Sequence, residues 1–161
     1  MNRDGKKDIV ALFAQGREGI YVFYQTDNLE FNVEPLVLMP SESGSSWFEL
    51  LDFNNDGYPD ILLANGNNAD YSRFLKSYHG IWLFINNGKN EFNEEWFYPI
   101  NRATRVSVGD FDMDGDIEFV VLSFFSDFDK GLEEGFVYLE NVDSSNYLFT
   151  SYTSEKTKSG N

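Results

Sequence analysis

The chain has 161 residues, of which 42% are hydrophobic and 17% aromatic, so it can form a packed core and is not expected to be disordered. Its formal net charge of −15 argues against nucleic acid and anionic membrane surfaces as partners, because both would repel it. The absence of cysteine excludes disulfides and thiol chemistry, and no apolar run approaches the roughly 20 residues that a membrane-spanning helix needs.

The first residues form an acidic segment, MNRDGKKD, that precedes an apolar run. Asn2, Asp4 and Asp8 carry side-chain oxygens around Gly5, and the run IVALF follows at residues 9–13. A second run, GIYVF, begins with a glycine at residue 19, and a third segment, LEFN, follows at 29–32. Short runs of β-branched and aromatic residues between turn-forming residues predict β-strands.

The same order returns from residue 47 onward. The run WFELL at 47–51 leads into the acidic segment DFNNDGYPD at 52–60, which is followed by apolar runs at 61–64 and 80–84. Asn87-Gly88 predicts a tight hairpin turn between the strands at 81–85 and 92–98.

A third copy occupies residues 104–150. Its acidic segment is DFDMDGDIE at 110–118, and strand-like runs lie at 104–108, 119–122, 135–139 and 148–150. The glycines at 5, 57 and 115 give repeat periods of 52 and 58 residues. No window of ten residues has a helical period, and four strands per repeat predict an all-β chain of β-propeller blades.

The three acidic segments have the chemistry of a calcium site. Ca²⁺ takes six to eight oxygen ligands, and a glycine in the loop allows the sharp bend around the ion. EF-hands are excluded because their twelfth position, an acid, is here Ala11, Leu63 or Val121. The predicted ligands are the side chains of Asn2, Asp4 and Asp8 with the carbonyl of Lys6; of Asp52, Asn54, Asp56 and Asp60 with the carbonyl of Tyr58; and of Asp110, Asp112, Asp114 and Glu118 with the carbonyl of Asp116.

The pattern D-x-[DN]-x-D-G-x-x-[DE] before a strand resembles the calcium loops of the FG-GAP/VCBS repeat family, which includes integrin-α-type blades. Residues 109–116 and 135–141 also look like that family, and the resemblance covers about residues 1–153. It implies that each loop joins the first and second strands of a blade. We therefore expect a partial β-propeller, with an incomplete blade at 1–39 that lacks its first strand, complete blades at 46–99 and 104–153, and a polar tail at 154–161. We also expect the chain to be the C-terminal piece of a longer secreted protein, whose signal peptide is not in this sequence.

Two long connections, 65–79 and 123–134, should lie on the face opposite the calcium loops. They carry aromatic and charged residues that could contact a ligand, although these rings could instead pack under their own loops. The candidate ligand-binding residues are Tyr71, Arg73, Phe74, Tyr78, His79, Asp127 and Phe128.

The sequence favours a non-enzymatic, extracellular, calcium-stabilised binding or scaffold module for a protein or carbohydrate ligand. His79 is the only histidine, and no catalytic triad or phosphate loop is recognisable. Two alternatives stay open: part of a propeller-based polysaccharide-degrading enzyme, and a cell-adhesion module for a protein ligand. The exposed sheet edges of a partial propeller would be covered by the remaining blades of the parent chain or by copies of this one.

Overall fold

The computed structural model describes residues 1–14, 16–66, 76–123 and 135–153. This part of the chain is all-β, as the sequence predicts, and contains no α-helix, so it has no helix that could span a bilayer. Short 3₁₀ turns lie at Asp27–Leu29 and Ser144–Asn146. The strands are β1 Ile9–Phe13, β2 Gly19–Gln25, β3 Phe31–Leu38, β4 Ser45–Leu51, β5 Asp60–Asn65, β6 Gly80–Asn86, β7 Phe92–Pro99, β8 Ala103–Gly109, β9 Glu118–Ser123, β10 Phe136–Asp143 and β11 Leu148–Thr153.

These strands form three antiparallel sheets in which neighbours in sequence are neighbours in space. Sheet one has the order β1-β2-β3, sheet two β4-β5-β6-β7, and sheet three β8-β9-β10-β11. The strand registers repeat as well: Ile61 pairs with Phe84 in sheet two, and Phe119 pairs with Leu139 in sheet three. Equivalent positions can therefore be compared directly between sheets.

Sheet two lies between the other two sheets, and β5 is the clearest sign of this. Every residue of β5 is buried, because successive side chains of a strand point to opposite faces and both faces are covered. Ile61 and Leu63 pack towards Ile20 of sheet one. Leu62 and Ala64 pack into the core shared with sheet three.

An aromatic cluster fills the space between sheets two and three. The Phe119 ring is fully buried and lies 5.0 Å from Phe149, 5.9 Å from Phe53 and 6.0 Å from Trp96, measured between ring centroids. Phe53 also stacks on Tyr147 at 5.9 Å. Because Phe53 is the second residue of the acidic segment at 52–60, this cluster anchors that segment to the core.

The hairpin predicted around Asn87-Gly88 joins β6 and β7, but its connection is five residues long. Asn86 pairs with Phe92, and the Asn86 Oδ1 atom accepts hydrogen bonds from the backbone N–H groups of Gly88 and Asn90. The side chain of Asn86 thus organises a wider turn than the Asn-Gly pair alone would make.

Candidate cation-binding loops

The acidic segments form three loops. Each loop lies just before the second strand of a four-stranded sheet or, in sheet one, just before the strand that corresponds to it. Loop one is residues 1–8 before β1, loop two is 52–60 between β4 and β5, and loop three is 110–118 between β8 and β9. Loops one and two are adjacent, since Arg3 donates a hydrogen bond to the Gly57 carbonyl at 2.8 Å. The Arg3 guanidinium also lies 4.2 Å from the centroid of the Tyr58 ring.

The three loops share one backbone conformation. Positions are numbered so that Gly5, Gly57 and Gly115 each stand at position six of their loop. The fourth position then has a left-handed φ in each loop, 59° at Arg3, 58° at Asn55 and 66° at Met113. The glycine two residues later is also left-handed, with φ of 84° in loops one and two and 99° in loop three. Non-glycine residues rarely adopt this φ, so its threefold recurrence at one position marks a common, specified turn.

The acids of loop two are held by the loop's own backbone. Asp52 accepts hydrogen bonds from the N–H groups of Asp56 and Gly57, both at 2.9 Å. Asn54 Oδ1 accepts from Asp56 N–H at 3.1 Å, and Asp56 Oδ1 accepts from Tyr58 N–H at 2.8 Å. These side chains therefore fold back onto the loop backbone, while Asn54 and Asp56 stay exposed to solvent.

Loop three repeats this network. Asp110 accepts from the N–H groups of Asp114 at 3.1 Å and Gly115 at 3.2 Å. Asp112 Oδ1 accepts from Asp114 N–H at 3.2 Å, and Asp114 Oδ1 accepts from Asp116 N–H at 2.9 Å. The first, third and fifth positions thus have the same partners in loops two and three.

The ninth position distinguishes the two loops. Asp60 is fully buried and uses both oxygens, since Oδ2 accepts from Phe53 N–H and Oδ1 from Asn86 N–H, each at 2.9 Å. Glu118 is equally buried, and its Oε2 accepts from Phe111 N–H at 2.7 Å. Its Oε1, however, has no hydrogen-bond partner among the described residues. Burial raises the pKa of both carboxyls.

Loop three also gathers its carboxylates more closely than the other loops. One oxygen each of Asp110, Asp112 and Glu118 lies within 4.8 Å of the other two. A second such group consists of Asp112, Asp114 and Glu140, the last of which is on β10 outside the loop. Loops one and two have no comparable group of three within the described chain.

Loop one has two carboxylates, and both already have partners. Asp4 Oδ1 accepts from Lys6 N–H at 2.9 Å, and this hydrogen bond is the main cause that lowers the pKa of Asp4. Asp8 Oδ1 accepts from Gln25 N–H at 3.2 Å, the counterpart of the Asp60–Asn86 bond in sheet two. The α-amino group of Met1 lies 3.2 Å from Asp8 Oδ2.

The structure places all fourteen predicted metal-ligating residues in these loops, with Lys6, Tyr58 and Asp116 at the seventh position. Coordination of a cation by any of these side chains or carbonyls stays a prediction. The sequence analysis did not find Glu140 or the supporting role of Asn86, because each residue lies on a strand that is far in sequence from the loop it contacts. Superposing the repeats would have shown Glu140, since its equivalents are Ile85 in sheet two and Tyr24 in sheet one.

Five of the residues predicted to bind a ligand, Tyr71, Arg73, Phe74, Asp127 and Phe128, lie outside the described residues. Tyr78 and His79 are in the turn before β6, with their rings in an edge-to-face contact at 5.4 Å. The His79 side chain is buried, and burial lowers its pKa, which favours the neutral imidazole.

Comparison with known proteins identifies the repeat. The FG-GAP-like repeat family matches the chain twice, over residues 1–63 and 52–121, so that each match extends from one acidic loop at least to the next. No curated protein and no solved structure gives a match to the chain. The two family matches together span most of the sequence and coincide with the repeated loops and strands, and this chain belongs to the FG-GAP-like repeat family.

Proposed function

We propose that the chain is a non-enzymatic binding or scaffold module of the β-propeller type, whose acidic loops bind Ca²⁺. In this proposal residues 1–39 are an incomplete blade, 46–99 and 104–153 are complete blades, and 154–161 are a tail. The observation that carries it is loop three, where carboxylate oxygens converge on Glu118, which is buried with one oxygen unpartnered among the described residues.

The residues fit calcium by their donor chemistry. Every side chain at the first, third, fifth and ninth positions of loops two and three offers a hard oxygen donor, which Ca²⁺ prefers. A buried carboxylate oxygen without a partner costs free energy, and so do neighbouring like charges. A bound divalent cation would remove both costs in loop three. When bound, it would supply charge neutralisation and cross-linking of the loop, with no catalytic step.

The packing of the sheets supports the blade interpretation. The inner strand β5 of sheet two is buried on both faces, whereas the outer faces of sheets one and three expose large apolar side chains. Phe13 on sheet one is 45% exposed, and Tyr152 on sheet three is 42% exposed. Such faces favour coverage by further blades of a longer chain or by a second copy of this one.

Location and ligand follow from the same reasoning. FG-GAP repeats are typical of extracellular proteins, and loops of this type suit the higher calcium concentration outside cells. A protein or carbohydrate ligand would contact the connections at 65–79 and 123–134. β5 ends at Asn65 and β6 begins at Gly80, at the edge of sheet two opposite loop two.

Calcium titration of the chelator-treated chain tests the proposal. We expect calorimetry to detect uptake, and a site filled at 100 times its dissociation constant to stabilise the fold by about 2.7 kcal/mol. The double variant Asp52→Asn/Asp110→Asn should lose most of this uptake, whereas Glu94→Gln, an exposed acid on β7, should not. Absence of heat and of any thermal shift in the unmodified chain at millimolar Ca²⁺ would overturn the proposal.

A further inference from the structure

Sheet three has an acid where the other sheets have none. Glu140 is half-buried on β10, and one of its oxygens lies within 4.8 Å of oxygens of both Asp112 and Asp114. Leu139, Phe84 and Phe23 each pair with the residue that directly follows the ninth position of their loop. Glu140, one residue later, is therefore equivalent to Ile85 and Tyr24. The acid is therefore a property of one loop and not of the repeat.

The position of Glu140 is unfavourable without a cation. Its carboxylate has an oxygen within 4.8 Å of oxygens of Asp112 and Asp114, and like charges at this distance repel each other. Asp112 also belongs to the group with Asp110 and Glu118, so Glu140 joins the four carboxylates of loop three that are candidate ligands.

A cluster of acids could be a solvated surface, but Glu118 argues otherwise. Its side chain is fully buried, and one of its oxygens lies within 4.8 Å of oxygens of Asp110 and Asp112. Its Oε1 has no hydrogen-bond partner among the described residues. In loop two the equivalent Asp60 gives both oxygens to backbone N–H groups. Loop three therefore keeps a buried carboxylate oxygen that is available to a ligand, whereas in loop two the backbone satisfies both oxygens of the equivalent carboxylate.

We infer that Glu140 is an additional cation ligand of loop three, supplied by the third strand of the sheet, and that it makes this site the tightest in the chain. The inference rests on the proposed calcium function and adds to it a ligand from outside the loop. Loop two offers three carboxylates and the Asn54 amide as candidate side-chain ligands, while loop three together with Glu140 offers five carboxylates in this role. Ligand charge is one of the factors that set calcium affinity, so the two sites should separate on titration.

The test is calcium titration of the full chain by calorimetry, with two matched variants that each remove one negative charge. Glu140→Gln keeps the shape of the side chain and should weaken the tightest site at least tenfold. Glu94→Gln, the control on β7, should leave the affinity of every site within twofold. Chelator competition should remove the last cation from Glu140→Gln at a lower chelator concentration than from the unmodified chain.

The outcomes separate this inference from the proposed function. If the unmodified chain takes up no Ca²⁺, both fail. If it binds Ca²⁺ and Glu140→Gln binds within twofold of it, or more tightly, the inference fails and the calcium loops stand. Circular dichroism of each variant in chelator checks the fold, and Glu140→Asp, which keeps the charge on a shorter arm, should retain more affinity than Glu140→Gln if coordination is the cause.

Discussion

Asp60 should stabilise the fold in the absence of any metal. Its carboxylate is fully buried and accepts hydrogen bonds from Phe53 N–H, at the start of loop two, and from Asn86 N–H, at the end of β6. Asp60→Ala would leave both N–H groups without an acceptor. Hydrogen bonds to a charged group contribute about 1.5–3 kcal/mol each, so the two together predict a loss of about 3–6 kcal/mol.

Urea unfolding followed by tryptophan fluorescence measures this loss, because Trp96 lies in the aromatic cluster beside Phe53 and Phe119. A chelator in every sample removes any contribution from a cation. The matched control is Asp56→Ala, an exposed acid of the same loop that accepts hydrogen bonds from Tyr58 N–H and from the Asn54 amide. Because water screens both bonds, its loss should cost only about 0.5–1.5 kcal/mol. If Asp60→Ala cost no more than Asp56→Ala, the structural role assigned to Asp60 would be wrong.

Three further predictions concern other parts of the chain. Met113→Asn should raise the free energy of unfolding by up to about 1 kcal/mol, because Met113 is 88% exposed at a left-handed φ that asparagine tolerates better; a decrease would contradict this. Phe119→Ala should cost about 3–5 kcal/mol in urea unfolding, since it empties the centre of the cluster, and a cost below 1 kcal/mol would show that the sheets repack. Burial raises the pKa of Glu118, so the metal-free fold gains from its protonation below the unfolded pKa near 4 and loses this gain as pH rises through the folded value. Relative to Glu118→Gln, the unmodified chain in chelator should therefore lose stability between pH 4 and 7, and a constant difference would refute the assigned burial.

The loops were predictable because their information is local. Alternate oxygen side chains, a glycine and a following apolar run lie within a dozen residues, and the recurrence of this order predicts the family and the all-β fold. The double-sided burial of β5 is also visible in the sequence, as the unbroken apolar run Ile61-Leu62-Leu63-Ala64.

The contacts that depend on another strand were not predictable in this way. Glu140 lies 22 positions after Glu118, and only the pairing of Leu139 with Phe119 brings its strand beside the loop. The tight turn predicted at Asn87-Gly88 was wrong for a similar reason. The Asn86 side chain accepts hydrogen bonds from within the turn, while its backbone N–H donates to Asp60, so the hairpin and the loop share one residue.

The ninth position explains how one repeat can hold loops of different chemistry. Asp60 reaches Asn86 N–H and Phe53 N–H together, whereas Glu118 keeps the bond to Phe111 N–H and leaves its other oxygen unpartnered within the described chain. The loop backbone is held in both cases by its own Asx hydrogen bonds, so a cation would enter a loop that is already shaped, at a small ordering cost. Once chelation is complete, loop three should loosen more than loop two, because only its buried carboxylate is left with an unpartnered oxygen. The sheet packing should stay intact, because the aromatic core between sheets two and three does not depend on the ion.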